Sequence, residues 1–158
     1  MRASVVDGDL LDQPVEAIVN AWNRNIIPWW LLLPQGVSGA IKRRGGYRPF
    51  IEVGRAGPIP LGEAVATSAG RLPFKTILHV AGIDLLWRAS PYSIRTSVRS
   101  AMTLAQRQGI ASIAFPVIGA GSGGFDEDEA LRLMHETLAG IDAAIDVRIV
   151  RYRPQASR

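Results

Sequence analysis

Cysteine is absent from this 158-residue chain. That absence excludes a disulfide framework, a thiol nucleophile and any cysteine-based zinc site. Histidine is nearly as scarce, with only His79 and His135, so a histidine-rich metal site is not expected either. The chain is read as needing no metal and no cofactor. Long apolar runs are also missing. The greasiest stretch, Ile26 to Leu33, is interrupted by Pro28 and falls far short of the roughly 20 residues that span a bilayer. Met1-Arg2-Ala3-Ser4 runs straight into a strand-like segment without a signal-peptide core. The expectation is a soluble, cytoplasmic protein with no membrane partner. Repeats and low-complexity tracts are lacking as well.

Charge of either sign is modest. Lys plus Arg is 18 against 14 Asp plus Glu, a net charge of +4. This balance fits an anionic ligand and equally an ordinary solvated surface. No Arg/Lys run is interleaved with aromatics, so nucleic acid is not expected as the main partner. Arg148, Arg151, Arg153 and Arg158 read as a solvated strand face and tail.

What is present is a 47% hydrophobic content in a chain long enough to bury a core in one domain. Domain limits of 1–153 are expected, followed by a tail at 154–158 and a monomeric state. Short apolar runs alternate with helical patterns. Ser4-Val5-Val6, Glu16–Asn20, Glu63–Ser68, Lys75–Val80, Ala111–Val117 and Val147–Tyr152 are six candidate strands. Glu63–Ser68 and Lys75–Val80 read as a pair joined by a Gly-Arg-Leu-Pro turn.

Three helices are expected. Val37–Arg44 is short, with Val37, Ala40 and Ile41 on one face. Pro91–Arg107 follows an N-cap at Ser90, places Ile94, Val98, Ala101, Met102 and Ala105 on one stripe, and stops at Gly109. The third starts near Asp126, where Asp126 caps and Glu129 is placed to reach back. Its stripe is Leu131, Met134 and Leu138, and Gly140 ends it. Alternating strands and helices predict an α/β sandwich with a mixed, largely parallel sheet of about six strands. Ligands then bind beyond the carboxyl ends of the strands, which singles out the segments after Asn20 and after Val117.

The second segment reads FPVIGAGSGGFDEDEA, from Phe115 to Ala130. A buried strand runs into Gly119, Gly121, Gly123 and Gly124, and a helix follows. Glycines let backbone N–H groups approach an anion, and a helix start adds positive dipole. A tight connection alone would have the same composition. The loop lacks the lysine of a Walker A motif and matches the dinucleotide fingerprint poorly. In the first segment Asn20 and Asn23 bracket a strand end, and Gly36-Val37-Ser38-Gly39-Ala40-Ile41 opens a helix with small residues. Asn side chains offer a donor and an acceptor to ribose hydroxyls; the alternative is that they only tie down the loop backbone.

Taken in order, these segments resemble a macro domain, an ADP-ribose-binding module, over nearly the whole chain. Gly8-Asp9-Leu10 follows the first strand. Ala17-Ile18-Val19-Asn20-Ala21-Trp22-Asn23 is similar to the family's AIVNAAN, and Gly36 to Ile41 to its GVDGAI. Phe115-Pro116 then leads into the glycine-rich loop. The resemblance implies a three-layer α/β/α sandwich and an ADP-ribose site. Asp9, with Leu10, would hold the adenine, and Tyr152 would lie near its face. The backbone of Gly119, Ala120, Gly121, Ser122, Gly123 and Gly124 would hold the diphosphate, with Gly36, Val37 and Ser38 opposite. Asn23 would contact the distal ribose, with Phe125 packing near it, and Asn20 is counted among the ligand-binding residues.

Two departures stand out. Many hydrolytic members of the MacroD type carry Asp where this chain has Ser38, and the family often has Phe or Tyr at Gly123. A serine hydroxyl is a poor base unless another group takes its proton. Asn23 and Ser38 remain the candidate catalytic residues, with substrate diphosphate, Asp84 or Asp126 as other water activators. Asp126 also reads as a helix cap and Asp84 as a turn residue. The family's glycine run is replaced by RNIIPWWLLLPQ. Trp29 or Trp30 could cover the sugar, or the loop could pack on a neighbouring helix or a second subunit. The expected activity is hydrolytic release of mono-ADP-ribosyl groups from acidic side chains of a modified protein; the alternative is a non-catalytic reader of ADP-ribose or of ADP-ribosylated protein.

Overall fold

A computed structural model of the chain describes residues 1–32, 36–121 and 123–153. Among them six strands form one sheet: β1 (Ala3–Gly8), β2 (Ala17–Trp22), β3 (Ala64–Thr67), β4 (Thr76–Ala81), β5 (Ser112–Pro116) and β6 (Asp146–Tyr152). Four α-helices accompany them: α1 (Gly36–Gly45), α2 (Arg48–Arg55), α3 (Pro91–Arg107) and α4 (Glu127–Ala139). The order across the sheet is β1-β6-β5-β2-β4-β3. Every pairing is parallel except that of the edge strand β3, which runs antiparallel to β4. The expected mixed, largely parallel sheet is therefore present.

Both faces of the sheet are covered, and strand parity sorts the residues between them. Ala17, Val19, Leu78 and Val80 face Ile94, Val98, Met102 and Leu133 of α3 and α4. Ile18, Trp22, Ile77 and Ala81 face Ile41 of α1 and Phe50 and Val53 of α2. This is a three-layer sandwich, and burial on both faces explains why β4 is apolar almost throughout.

The helix ends follow local chemistry. Ser90 accepts from the Ser93 N–H at 3.1 Å while Ser93 Oγ accepts from the Ser90 N–H at 2.9 Å, a reciprocal cap. Gly109 takes φ +67° just past α3, the left-handed stop that glycine permits. Asp126 caps α4 through the Glu129 N–H at 3.0 Å. Glu129 does not reach back as expected, because its carboxylate pairs with Arg132 on the exposed face. The α4 stripe is centred on Leu133, Met134 and Leu138, with Leu131 only partly buried at its margin.

α2 was not among the expected helices. β3 is also shorter than expected, because Glu63 and Ser68 lie outside its ladder. The tail at 154–158 lies outside the described residues. Among the described residues no helix is long and apolar enough to cross a membrane.

Candidate functional site

At the carboxyl ends of the parallel strands lies a cleft of about 560 Å³. Asp9, Leu10 and Leu11 follow β1, Ala21 and Trp22 end β2, Gly82 and Ile83 follow β4, and Val150, Tyr152 and Arg153 come from the end of β6 and just past it. Its two long walls come from the two segments singled out in the sequence. Gly36, Val37, Ala40 and Arg43 present the first turns of α1 on one side. Pro116, Val117, Gly119, Ala120, Gly121 and Gly123 present the glycine-rich loop on the other.

That loop is built to expose backbone. Gly119 adopts φ +88°, and a Cβ there would lie 2.7 Å from Ala89 Cβ. The Phe125 N–H returns to the Gly119 carbonyl at 2.9 Å, and Gly124 N–H reaches the Gly121 carbonyl at 3.2 Å. The N–H groups of Gly119, Gly121 and Gly123 have no protein acceptor among the described residues. All three residues line a cleft that also receives the start of a ten-residue helix. Glycine backbone on one wall and a positive dipole end on the other suit an anion with two charged centres, such as a diphosphate.

The ends of the cleft differ. At one end Asp9 caps a short 3-10 turn, with Oδ1 accepting from Leu11 N–H at 2.9 Å. Its other oxygen lies 3.9 Å from Arg44 Nη1. Asp9 therefore keeps an acceptor at the cleft, as a base amino group would need. Tyr152 stands at the same rim and is 67% exposed, available for stacking. Beside it Arg153 Nη2 lies 3.6 Å from Glu127 Oε1. Asp9, Leu10, Gly36, Val37, Gly119, Ala120, Gly121, Gly123 and Tyr152 are thus brought to one cleft.

The remaining sequence-derived candidates are placed elsewhere. Asn20 is fully buried. Its Nδ2 lies 3.0 Å from His79 Nδ1, and its Oδ1 accepts from Ser38 Oγ at 3.0 Å. Asn20 therefore points beneath α1 and not into the cleft, because strand parity turns it to the Ile18 and Trp22 side. Asn23 is buried too, and its Oδ1 accepts from the Asn25 N–H at 2.7 Å. Ser38 is half-buried and does not line the cleft. Gly124 is exposed beyond the lining, and Phe125 packs against the α3/α4 core. Ser122 lies outside the described residues. Asp84 accepts the N–H groups of Leu86 and Arg88 at 2.9 and 3.0 Å, and Asp126 caps α4. Both carboxylates are already engaged in shaping the backbone.

The tryptophans divide. Trp29 stacks at 5.5 Å from Tyr47 and 6.3 Å from Phe50, while Lys42 Nζ reaches its carbonyl at 3.4 Å. Burial lowers the Lys42 pKa from the ordinary lysine value, and the ammonium lies 4.9 Å from the Phe50 ring centre. Trp30 is exposed. Neither ring lines the cleft; Trp29 packs onto α2 instead.

Several residues at or behind the cleft were not assigned to the site from sequence: Trp22, Ile83, Arg43, Glu127, Arg153 and, beneath the wall, His79. Gly82 and Ile83 carried a signal, since they follow a parallel strand. Asn25 is a further one. With φ +61°, it donates to the Val53 and Gly57 carbonyls at 2.8 Å each and accepts from Trp22 Nε1 at 3.3 Å. It clamps the first loop to α2.

Comparison with known proteins agrees with this geometry. The sequence model of the family described as Macro domain matches residues 19–134. A macro domain-containing protein of Streptomyces griseus is 35% identical over 161 residues, covering 96% of this chain and 88% of the relative. An O-acetyl-ADP-ribose deacetylase of Citrobacter rodentium is 34% identical, covering 87% and 78%. Among solved structures, an Oceanobacillus iheyensis macrodomain variant with ADPR superposes with a TM-score of 0.80 at 26% identity, over 93% of this chain and 83% of that one.

Proposed function

The chain belongs to the macro domain family, and from that premise we propose that it binds ADP-ribose and hydrolyses mono-ADP-ribosyl groups from acidic side chains of modified proteins. The observation that carries the reading is the pair of facing walls. Gly36 and Val37 at the start of α1 oppose the free N–H groups of Gly119, Gly121 and Gly123, and Asp9 and Tyr152 mark an adenine end. A diphosphate bridges the walls, and its two sugars extend toward opposite ends.

In the hydrolysis, water supplies the hydroxyl to one fragment and the proton to the other, and the ester between ribose and carboxyl group breaks. Ser38 does not activate that water, since its hydroxyl proton is directed to Asn20. Asn23 is engaged with its own loop. The substrate's diphosphate, held beside the distal ribose, is the nearest base that the arrangement offers. Placement and orientation supply the rest.

The same observation on Ser38 favours a second reading, a non-catalytic reader of ADP-ribose or of ADP-ribosylated protein. Calorimetric titration comes first. ADP-ribose is expected to bind in the micromolar range, much more tightly than AMP or ribose 5-phosphate. No heat with ADP-ribose would overturn both readings. Release of ADP-ribose from glutamate-modified protein then separates them: turnover supports the hydrolase, and tight binding without turnover supports the reader.

A further inference from the structure

Beneath the α1 wall runs a line of buried polar groups. Ser38 Oγ lies 3.0 Å from Asn20 Oδ1, and Asn20 Nδ2 lies 3.0 Å from His79 Nδ1. His79 Nε2 lies 2.8 Å from Thr67 Oγ1, which lies 2.9 Å from the Ser68 carbonyl oxygen. Asn20 and His79 are fully buried, and Thr67 is 8% exposed.

The far end sets the direction of every bond. A carbonyl oxygen only accepts, so the single hydroxyl proton of Thr67 goes to Ser68. Thr67 Oγ1 must then accept from His79 Nε2–H. A neutral imidazole has one N–H, so Nδ1 is bare and accepts from the Asn20 amide nitrogen. The amide oxygen therefore faces Ser38 and receives its hydroxyl proton. Burial pushes the His79 pKa down to about 3, which keeps the ring neutral. Every proton in the line points from the cleft wall into the sheet. Beyond it, the Ser68 N–H and hydroxyl are held by Glu52 of α2 at 2.7 and 3.0 Å.

We infer that His79, as its Nε2–H tautomer, is a positioning residue: through Asn20 and Ser38 it fixes the first turn of α1 against the glycine-rich loop and leaves Ser38 Oγ as a hydrogen-bond acceptor only. The consequence for ligand affinity rests on the ADP-ribose reading above; the tautomer and the anchoring of α1 do not. The line ties the anion-facing turn to the edge strand β3, so a change at Thr67, outside the cleft lining, is transmitted to the wall.

Three measurements test this. Nitrogen-15 NMR of the His79 ring is expected to show a protonated Nε2 and a bare Nδ1, unchanged from about pH 8 to about pH 5. A protonated Nδ1, or a ring that titrates in that range, would overturn the assignment. Thr67→Val removes the acceptor for Nε2–H. It is expected to weaken ADP-ribose binding about 3- to 10-fold and to speed amide exchange at Ser38 and Gly39. Thr76→Val is the control, because it deletes a buried hydroxyl bonded at 2.8 Å to the Thr67 carbonyl, off the line. It is expected to lower Tm with affinity and exchange unchanged. Equal effects of the two variants, or none from Thr67→Val, would reduce the line to structural packing. If wild-type protein does not bind ADP-ribose, the functional reading fails alone, and ring tautomer and exchange still decide this one.

Discussion

Gly123 shows how one residue sets the character of the glycine-rich loop. The resemblance implies an aromatic residue here, covering a sugar. A Cβ at Gly123 would lie 2.8 Å from the Gly119 carbonyl oxygen and 2.9 Å from Ala89 Cβ. The loop is also sewn down at this point, since the Ala89 N–H donates to the Gly123 carbonyl at 3.3 Å. Ala89 and the Gly119 backbone occupy the space that a side chain would need first. Gly123→Phe is therefore expected to lower stability by about 1–3 kcal/mol and to weaken ADP-ribose binding, read by thermal unfolding and calorimetric titration. Tighter binding would show that the loop reforms around the ring. Gly121, two residues away, has nothing within 4 Å of an added Cβ. Gly121→Ala is expected to change stability by less than about 0.5 kcal/mol.

Between β2 and α1 the described part of the first loop is anchored on α2. The Trp29 ring packs against Tyr47 and Phe50, and its backbone carbonyl accepts from the Lys42 ammonium. A Cβ at Gly54 would lie 3.1 Å from Trp29 Cδ1, so the ring lies flush on the helix. Trp29→Ala is expected to cost about 1–3 kcal/mol of stability and to leave ADP-ribose affinity within about twofold. Lost affinity with unchanged Tm would return the ring to the role of a cover. This element was also the least legible in the sequence. Arg48–Arg55 is only eight residues, with Pro49 near its start and Gly54 near its end, two residue types that punctuate local structure. Its helical character rests on the burial of Pro49, Phe50 and Val53, with Phe50 against Trp22 and Trp29, contacts that no local window contains. α3 was legible because Ser90, Pro91 and a long apolar stripe are all local signals. So was the glycine-rich wall, since free backbone requires glycine and glycine is visible. The facing of Asn20 was legible only by parity: it shares the side of Ile18 and Trp22, beneath α1, a deduction that needs the covered face to be known first. His79 has the same parity as Ile77 and Ala81, and from sequence it reads as one apolar-strand residue among others.

At the scale of the whole molecule, acid loosens the sheet at two ends. His79 lies toward the carboxyl ends of the strands. Its folded pKa of about 3 stands below the ordinary 6.5, because burial penalises the charged ring. Between those values the unfolded chain binds a proton that the folded chain does not. Stability is therefore full above about pH 6.5 and falls with pH, at a slope approaching about 1.4 kcal/mol per unit, down to about pH 3. At the opposite end Glu16 ties three strands. Its carboxylate accepts from the Ala111 N–H at 2.8 Å and from Lys75 at 2.9 Å, and its own N–H donates to Ser112 Oγ at 2.9 Å. The Ala111 N–H, then Lys75, holds its pKa below 4.5. Glu52 is also lowered: burial works to raise it, but the Ser68 N–H and hydroxyl and Arg48 outweigh burial. Both carboxylates contribute stability that is present above the unfolded value and lost as pH falls through the folded one. All three groups act in the same direction and come in sequentially, His79 first. Thermal unfolding followed from about pH 8 to about pH 4 is expected to show Tm falling below about pH 6.5, and more steeply below about 4.5 as the carboxylates join. His79→Gln is expected to flatten the upper part of that decline and to keep the lower part, since Glu16 and Glu52 are untouched. A wild-type Tm that stays level down to about pH 4.5 would mean that the folded protein accepts the proton at His79, and the neutral ring beneath the cleft wall would have to be abandoned.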